Sequence, residues 1–269
     1  MFEAYELKII SLGAIQGLTE FLPVSSSAHL AFFQTLFGQT ENMLGYDIVL
    51  HMATLCAVLL YFVKDIISLV TEWLRGFSKR ESREKQGWSY GWAILCGTAV
   101  TALIALPLKK IVEEAMNSPV IVAIGLFFTS LLLWYIENIK SRERKISLSS
   151  GLLVGLIQGI AVMPGISRSG STIFMGRLAG LPVGEAFRFS FLLSVPAIAG
   201  ATLLEILAMF KAGEVTLPSY WWLGAFLAFS LGLLSLVLLR RFVVGGRWRL
   251  FSVYCAFLAF VMISLHVLG

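Results

Sequence analysis

Hydrophobic residues form long blocks along this chain, and most charged residues lie between the blocks. Six blocks approach or exceed the roughly 17 residues that an α-helix needs to cross a bilayer. They cover residues 48–63, 91–108, 120–136, 187–210, 220–239 and 250–268. The pattern predicts an all-α integral membrane protein with six transmembrane helices.

Two further apolar segments are too short or too interrupted to cross the membrane. Residues 9–22 and 28–37 are separated by Pro23, and residues 148–180 are interrupted near Pro164. Proline ends a helix because it lacks the backbone N–H and its ring clashes with the preceding turn. Each segment therefore predicts a re-entrant helical hairpin, whose irregular backbone must be buried in protein or line a cavity.

The basic residues of the loops predict the orientation of the helices. Lysine and arginine are concentrated within residues 64–88, 140–145 and 240–249. These loops are expected in the cytoplasm, where membrane proteins carry their excess of positive charge. Both termini then lie outside, and the two hairpins enter from opposite faces. We expect a single membrane domain, residues 1–269, built as an inverted-topology repeat of residues 1–140 and 141–269, with an approximate boundary.

The composition excludes a soluble globular protein. Hydrophobic residues make up 58% of the chain and charged residues 14%, and the mean hydropathy is +0.84. Soluble domains contain about half apolar and a quarter charged residues. The net charge of +5 is explained by the cytoplasmic loops, so no nucleic-acid partner is expected. Cys56, Cys96 and Cys255 lie in apolar segments without metal-ligand spacing and predict no disulfide framework.

Both hairpins contain polar residues in a related pattern. The first reads QGLTEFLPVSSSAH over residues 16–29, and the second reads QGIAVMPGISRSGS over residues 158–171. The two runs lie 142 residues apart when Gln16 is matched to Gln158. This weak internal repeat supports a chain made of two related halves.

The serines of both runs lie where each hairpin begins its second helix, and this placement predicts an anion site. The residues are Ser25, Ser26 and Ser27 in the first hairpin and Ser167, Arg168 and Ser169 in the second. Free N–H groups and the helix dipole favour anions at a helix N-terminus. Arginine adds a fixed charge and a planar set of donors that suit phosphate oxygens. The sequence therefore predicts a phosphate or pyrophosphate site, with close helix packing as the alternative role of the serines.

Glu20 and Gln16 lie four residues apart and share a helix face. Their oxygens suit a hard divalent cation that bridges phosphate oxygens. An ion pair between Glu20 and Arg168 is the alternative, because a carboxylate at this depth needs a partner.

Two histidines lie near these residues. His29 is three residues after Ser26 and is expected to donate or accept a proton. His51 is four residues after Asp47, and we interpret this pair as structural in the first instance, with orientation of the site as the alternative.

The two runs and the layout of six helices and two hairpins resemble the bacterial undecaprenyl pyrophosphate phosphatases of the bacitracin-resistance family. The resemblance extends over essentially the whole chain. It implies hydrolysis of undecaprenyl pyrophosphate to undecaprenyl phosphate, the lipid carrier of peptidoglycan and other wall polymers. It also implies a divalent cation, Mg²⁺ or Ca²⁺, and an active site open to the outer face of the cell membrane.

The motifs of that family fall on individual residues of this chain. The acidic signature falls on Gln16 and Glu20, the expected cation ligands, and Gln16 stands where many members carry glutamate. The nucleophilic serine falls on Ser26, the motif histidine on His29 and the phosphate-binding arginine on Arg168. The remaining substrate-binding positions are Ser25, Ser27, Ser167, Ser169 and Gly170.

The resemblance implies phosphoryl transfer, with Ser26 or a water molecule as the attacking group and Glu20 or His29 as the base. The residues alone leave two alternatives. A secondary transporter or polyprenyl-phosphate flippase shares the plan of inverted repeats with interrupted helices, and a scaffold would use polar residues only to join helices. The expected partners are the polyprenyl pyrophosphate substrate and bilayer lipids, and a homodimer is compatible with the sequence.

Overall fold

A computed structural model describes residues 4–38, 43–140, 142–212 and 217–268. Within these ranges all regular secondary structure is helical, including one short 3₁₀-helix at Arg80–Glu84. The α-helices are α1 (Ala4–Thr19), α2 (Ser26–Leu36), α3 (Leu44–Tyr61), α4 (Val63–Ser78), α5 (Gln86–Met116), α6 (Pro119–Ile136), α7 (Leu148–Ile160), α8 (Arg168–Leu178), α9 (Val183–Ala212), α10 (Trp221–Val244) and α11 (Trp248–Leu268). The prediction of an all-α protein is confirmed.

Five helices in the described part of the chain are long and apolar enough to cross a membrane, namely α5, α6, α9, α10 and α11. A sixth span results if α3 and α4 are counted together, although they bend by 72° where they meet. The chain is therefore a multi-pass membrane protein. In contrast, α1, α2, α7 and α8 contain only 16, 11, 13 and 11 residues.

The interpretation of residues 64–88 as a polar loop is wrong, because most of this segment is helical. On α4, Ile67, Val70 and Leu74 are exposed apolar residues, whereas Leu69 is buried. Apolar and charged residues recur at helical spacing, so the average polarity of the segment hides an amphipathic helix. A helix of this kind suits the interface between membrane and water.

Helix α5 is also longer than predicted. It begins at Gln86 and continues through Pro107 to Met116, whereas the apolar pattern predicted a span over 91–108 and a loop over 109–119. The connection to α6 is short. The Ser118 hydroxyl caps α6 by accepting from the Ile121 N–H. The end of an apolar block therefore does not mark the end of this helix.

Both predicted hairpins are pairs of short helices separated by non-helical residues. Helix α1 ends at Thr19 and α2 begins at Ser26, and α7 ends at Ile160 and α8 begins at Arg168. Each first helix ends before its proline is reached, because proline also disfavours helical geometry in the residue that precedes it. Residues 20–25 and 161–167 are thus free to form the turns that carry the polar motifs.

Each half of the chain packs one hairpin helix against a long helix of the other half. Helix α1 packs along α10, and α7 packs along α5. A Cβ atom on Gly13 would lie 2.3 Å from the carbonyl oxygen of Gly224, and a Cβ atom on Gly155 would lie 2.3 Å from that of Gly97. Only glycine permits such close approach between helix backbones. Gly13 and Gly155 each lie three residues before a polar run, so they are related by the same offset of 142 residues.

The first helix break is held in the apolar core. Phe21 is fully buried and contacts the ring of Phe191 edge to face, with the ring centroids 5.7 Å apart. It also packs near Gly232 of α10, which leaves room for the ring. Burying an aromatic ring of this size fixes the turn strongly, so the neighbouring Glu20 has a defined position.

Candidate active site

Glu20 is the centre of a hydrogen-bonded cluster at the first helix break. Its backbone N–H donates to the Gln16 carbonyl at 2.9 Å, which closes the last turn of α1. Its Oε2 atom accepts from Ser26 Oγ at 2.6 Å and from Gln16 Nε2 at 3.0 Å. Its Oε1 atom accepts from Arg168 Nη2 at 2.6 Å. One carboxylate therefore connects residues of both hairpins.

The charges in this cluster are largely removed from solvent. The side chain of Glu20 is 4% exposed and that of Arg168 is 22% exposed. A buried carboxylate is unfavourable without partners, and a short charge-assisted hydrogen bond compensates for the lost hydration. The ion pair that the sequence left as an alternative role for Glu20 is therefore present.

Ser26 is the first residue of α2 and is partly exposed. Its hydroxyl donates to Glu20, so the Oγ lone pairs point away from the carboxylate and can approach an electrophile. Ser25 and Ser27 lie beside it, with their hydroxyl oxygens 3.2 Å apart. Among the described residues, no side chain caps α2: Ser25 occupies the capping position but makes no capping hydrogen bond. Ser25 also has a positive φ of 64°.

The second hairpin places its serines at the start of α8. Ser167 caps this helix, because its hydroxyl accepts from the Gly170 N–H at 3.2 Å. Ser169 Oγ lies 3.3 Å from Ser167 Oγ and donates across to the carbonyl of Leu22 at 3.3 Å. The predicted substrate-binding residues of the two hairpins are therefore linked directly, in addition to the contact through Glu20.

His29 is buried on α2, and both of its ring nitrogens are occupied. Nδ1 lies 2.8 Å from the Ser25 carbonyl oxygen, and Nε2 lies 2.7 Å from the Tyr254 hydroxyl. Neither contact is to Ser26 or Glu20. The predicted histidine therefore lies beside the cluster and not within its hydrogen-bond network.

His51 is the histidine next to Glu20. Its Nε2 atom lies 3.9 Å from Glu20 Oε2, and its Nδ1 atom lies 2.8 Å from the carbonyl oxygen of Asp47. The Asp47 carboxylate accepts from Gln34 and so joins α3 to α2. The expected contact between Asp47 and His51 is therefore made by the backbone carbonyl of Asp47 and not by its carboxylate. It leaves the Nε2 atom of His51 facing Glu20.

Two contacts could not be foreseen from the polar motifs. The Thr129 hydroxyl accepts from the Ser167 N–H at 2.9 Å and donates to the Gly165 carbonyl at 3.0 Å, which fixes the turn before α8. Tyr254 reaches His29 from α11, far away along the chain. Hydroxyl-bearing residues in apolar spans are the only sequence signal for either contact, and that signal does not identify a partner.

The model of one protein family matches residues 9–261, and its description is "Bacitracin resistance protein BacA". This match covers most of the chain, including both hairpins and the Glu20 cluster. The chain belongs to the BacA family. The resemblance inferred from the two polar runs is confirmed.

Curated relatives of the family match this chain over nearly its full length. A protein named undecaprenyl-diphosphatase from Desulfosudis oleivorans is 42% identical over 256 residues, covering 91% of this chain and 93% of the relative. One from Myxococcus xanthus is 36% identical over 98% of this chain and 90% of the relative. Another from Methanosphaera stadtmanae is 38% identical over 97% and 98%, respectively.

Proposed function

We propose that this chain is an undecaprenyl-diphosphatase, which hydrolyses undecaprenyl pyrophosphate to undecaprenyl phosphate and inorganic phosphate. The observation that supports this most directly is the meeting of Ser26 and Arg168 on the carboxylate of Glu20. A nucleophile (Ser26), a base (Glu20) and a phosphate-binding guanidinium (Arg168) thus lie within one cluster. The relatives named undecaprenyl-diphosphatase support the same activity.

Ser26 is the nucleophile and Glu20 its base in this proposal. The hydroxyl already donates to the carboxylate at 2.6 Å, a distance suited to proton transfer. Ser26 Oγ attacks the terminal phosphorus, Glu20 takes the hydroxyl proton, and the bond to the bridging oxygen breaks to release undecaprenyl phosphate. Water then attacks the phosphorus of the phosphoserine, the bond from phosphorus to Ser26 Oγ breaks, and inorganic phosphate leaves. The proton that Glu20 took in the first step returns to Ser26.

Arg168 binds the phosphate oxygens. Its planar guanidinium carries several donors, of which the structure shows Nη2 bound to Glu20. Charge-assisted bonds to phosphate are strong because both groups are ionised. The N-terminal amides of α2 and α8 add positive potential where the charge develops. Ser25, Ser27, Ser167, Ser169 and Gly170 line these two helix ends.

His29 is the second acid–base group of the proposal. It is buried against the first turn of α2, one helical turn beyond Ser26. Because neither ring nitrogen contacts Ser26 or Glu20, it acts through intermediate groups, supplying a proton for the departing undecaprenyl phosphate or accepting one from the attacking water in the second step. Both steps need a group that can exchange protons near neutral pH, and histidine is suited to this.

A divalent cation, Mg²⁺ or Ca²⁺, fits the donors at the start of the first break. Gln16 Oε1 is a buried oxygen with no hydrogen-bond partner among the described residues, and it lies on the side chain that contacts Glu20. In the described ranges, no cluster of three His, Cys, Asp or Glu residues could form a complete metal site. Gln16 and Glu20 would therefore share the cation with phosphate oxygens and water, as is typical of Mg²⁺. Bound there, the cation would neutralise phosphate charge.

We propose further that the chain is an inverted-topology repeat with six spans and two re-entrant hairpins. The reciprocal packing of α1 on α10 and α7 on α5 supports this arrangement, as does the match between Gly13 and Gly155. The lysines and arginines within residues 79–85, 140–145 and 240–249 support a cytoplasmic location for these connecting segments. The site then opens to the outer face of the cell membrane, and both termini lie outside.

A transporter or flippase shares this plan of interrupted helices. Family membership favours the hydrolase. The Ser26–Glu20 hydrogen bond also favours it, because a carrier has no need for a hydroxyl directed at a base. A homodimer is not required by this mechanism, since all the groups named come from one chain.

The test is phosphate release from a polyprenyl pyrophosphate by purified protein in detergent. The wild type is expected to release phosphate, and Ser26→Ala and Arg168→Ala are each expected to reduce kcat/KM by at least about a hundredfold. Ser68→Ala and Arg240→Ala change exposed residues outside the cluster and serve as matched controls.

The controls are expected to keep wild-type activity. A wild-type protein that is folded but releases no phosphate would contradict the proposed function. Full activity in Ser26→Ala would contradict the serine nucleophile and leave direct attack by water.

A further inference from the structure

His29 is buried more deeply than the residue that contacts its outer nitrogen. Its relative exposure is 3%, whereas that of Tyr254 is 43%. The two rings are nearly parallel, with 7° between their planes and 5.6 Å between their centroids. The route from His29 Nε2 to the surroundings of the protein therefore passes through the Tyr254 hydroxyl.

The contacts of His29 determine which ring nitrogen carries the proton. A carbonyl oxygen can only accept, so the 2.8 Å contact with Ser25 requires a proton on Nδ1. In the neutral ring Nε2 then has a lone pair, which accepts from the Tyr254 O–H at 2.7 Å. The two neighbours together select one tautomer and fix the plane of the ring.

The Ser25 carbonyl is itself held in an uncommon direction. Ser25 has φ 64° and ψ 93°, a conformation that residues other than glycine rarely adopt. Its carbonyl accepts from the His29 backbone N–H at 3.3 Å as well as from the ring. Local backbone strain of this kind is maintained only where surrounding contacts support it. The inner side of His29 is therefore set by α2 itself, and the outer side depends on one hydroxyl from α11.

Packing alone does not account for this tyrosine. An exposed aromatic residue on a membrane helix would normally direct its hydroxyl toward the interface or solvent. Tyr254 instead directs its hydroxyl to a buried nitrogen on another helix. A phenylalanine would supply the same apolar surface without this bond.

We propose that Tyr254 is a positioning residue that acts through His29. It holds the Nδ1–H tautomer and the ring orientation, and it is the outer end of a chain of hydrogen bonds that runs through His29 to the Ser25 carbonyl. Protons that His29 gains or loses at Nε2 pass by way of this hydroxyl. The inference rests on the acid–base role of His29 under the proposed function.

The test compares four proteins in the phosphate-release assay: wild type, Tyr254→Phe, His29→Ala and the double variant. Tyr254→Phe is expected to lower kcat roughly tenfold, and KM is expected to change less than about twofold, since the hydroxyl assists proton transfer and does not bind substrate. The double variant is expected to have the kcat of His29→Ala, because the hydroxyl has no function without the imidazole. Tyr135→Phe, which removes the hydroxyl of an exposed tyrosine on α6, is the matched control.

The outcomes separate this inference from the proposed function. No phosphate release by the folded wild type refutes the function itself. An active wild type together with full kcat in Tyr254→Phe, or with losses that multiply in the double variant, overturns the role of Tyr254 alone. Full kcat in His29→Ala overturns both the acid–base role of His29 and the role of Tyr254, while the phosphatase activity of the wild type stands. If Tyr254→Phe elutes as an aggregate, the fallback is 3,5-difluorotyrosine at position 254, which keeps the ring and the hydroxyl but makes the hydroxyl more acidic. An unchanged kcat in this variant overturns the inference.

Discussion

Removal of Arg168 tests whether Glu20 depends on it for charge compensation. In Arg168→Ala the carboxylate stays buried, with a side chain 4% exposed, and loses the guanidinium that lies 2.6 Å from its Oε1 atom. Breaking a buried ion pair from one side destabilises proteins by about 3–5 kcal/mol. Ser26 and Gln16 still donate to Glu20 Oε2, so we expect the lower end, about 3 kcal/mol.

The double variant Glu20→Gln/Arg168→Ala gives the decisive comparison. It leaves no charge in the cluster, and glutamine keeps the shape of the side chain, so its free energy of unfolding is expected within about 1 kcal/mol of wild type. The coupling between the two positions is then at least about 2 kcal/mol. Activity is not expected to recover, because both the carboxylate of Glu20, which acts as the base, and the guanidinium of Arg168, which binds phosphate, are missing.

The measurement is reversible unfolding in mixed micelles with increasing SDS, followed by tryptophan fluorescence. Arg249→Ala is the control, since Arg249 pairs with Glu137 at 3.0 Å but its side chain is 60% exposed. An exposed pair is expected to contribute less than about 1 kcal/mol. A double variant as unstable as Arg168→Ala, or less stable, would refute the view that Arg168 stabilises the protein by compensating the buried charge of Glu20.

Other predictions concern packing, the neighbouring histidine, the cation and the orientation. Gly155→Val places a Cβ atom 2.3 Å from a facing backbone oxygen and is expected to abolish the monodisperse peak in size-exclusion chromatography. Gly184→Ala is expected to keep the peak, because a Cβ atom there would have no atom of another helix within 4 Å among the described residues. His51→Ala removes the ring 3.9 Å from the Glu20 carboxylate and is expected to lower kcat about tenfold, and an unchanged kcat would make this residue structural. EDTA is expected to abolish phosphate release and Mg²⁺ or Ca²⁺ to restore it; undiminished release in EDTA would remove the cation from the mechanism. A cysteine at exposed Glu81 is expected to resist membrane-impermeant maleimide added to intact cells, and ready labelling would reverse the orientation.

The parts of the fold that depend on local pattern could be predicted from the sequence. Apolar blocks located the five long apolar helices of the described part of the chain, and the prolines in short apolar segments located both broken helices. Helix α4 was not predicted because the segment that begins at Lys64 is polar in its overall composition. Its apolar residues nevertheless recur at helical spacing. The extent of α5 was missed for a related reason, since its last turns are polar but remain helical.

The candidate site was predictable as a set of residues but not as a network. The spacing of Gln16 and Glu20 predicted that they share a helix face, and the structure joins them by a hydrogen bond. The ion pair with Arg168 was one of two alternatives, and the sequence could not decide between them. The positions of His51 and Tyr254 depend on how separate helices pack, and no local pattern encodes such contacts.

The most direct test of the account is a structure of the protein with a non-hydrolysable polyprenyl methylene-bisphosphonate. The account predicts that the terminal phosphonate lies between Ser26 Oγ and the Arg168 guanidinium, with Glu20 still accepting from Ser26 and the start of α8 facing the second phosphonate. A headgroup bound elsewhere, with Ser26 and Arg168 still joined only through Glu20, would contradict it.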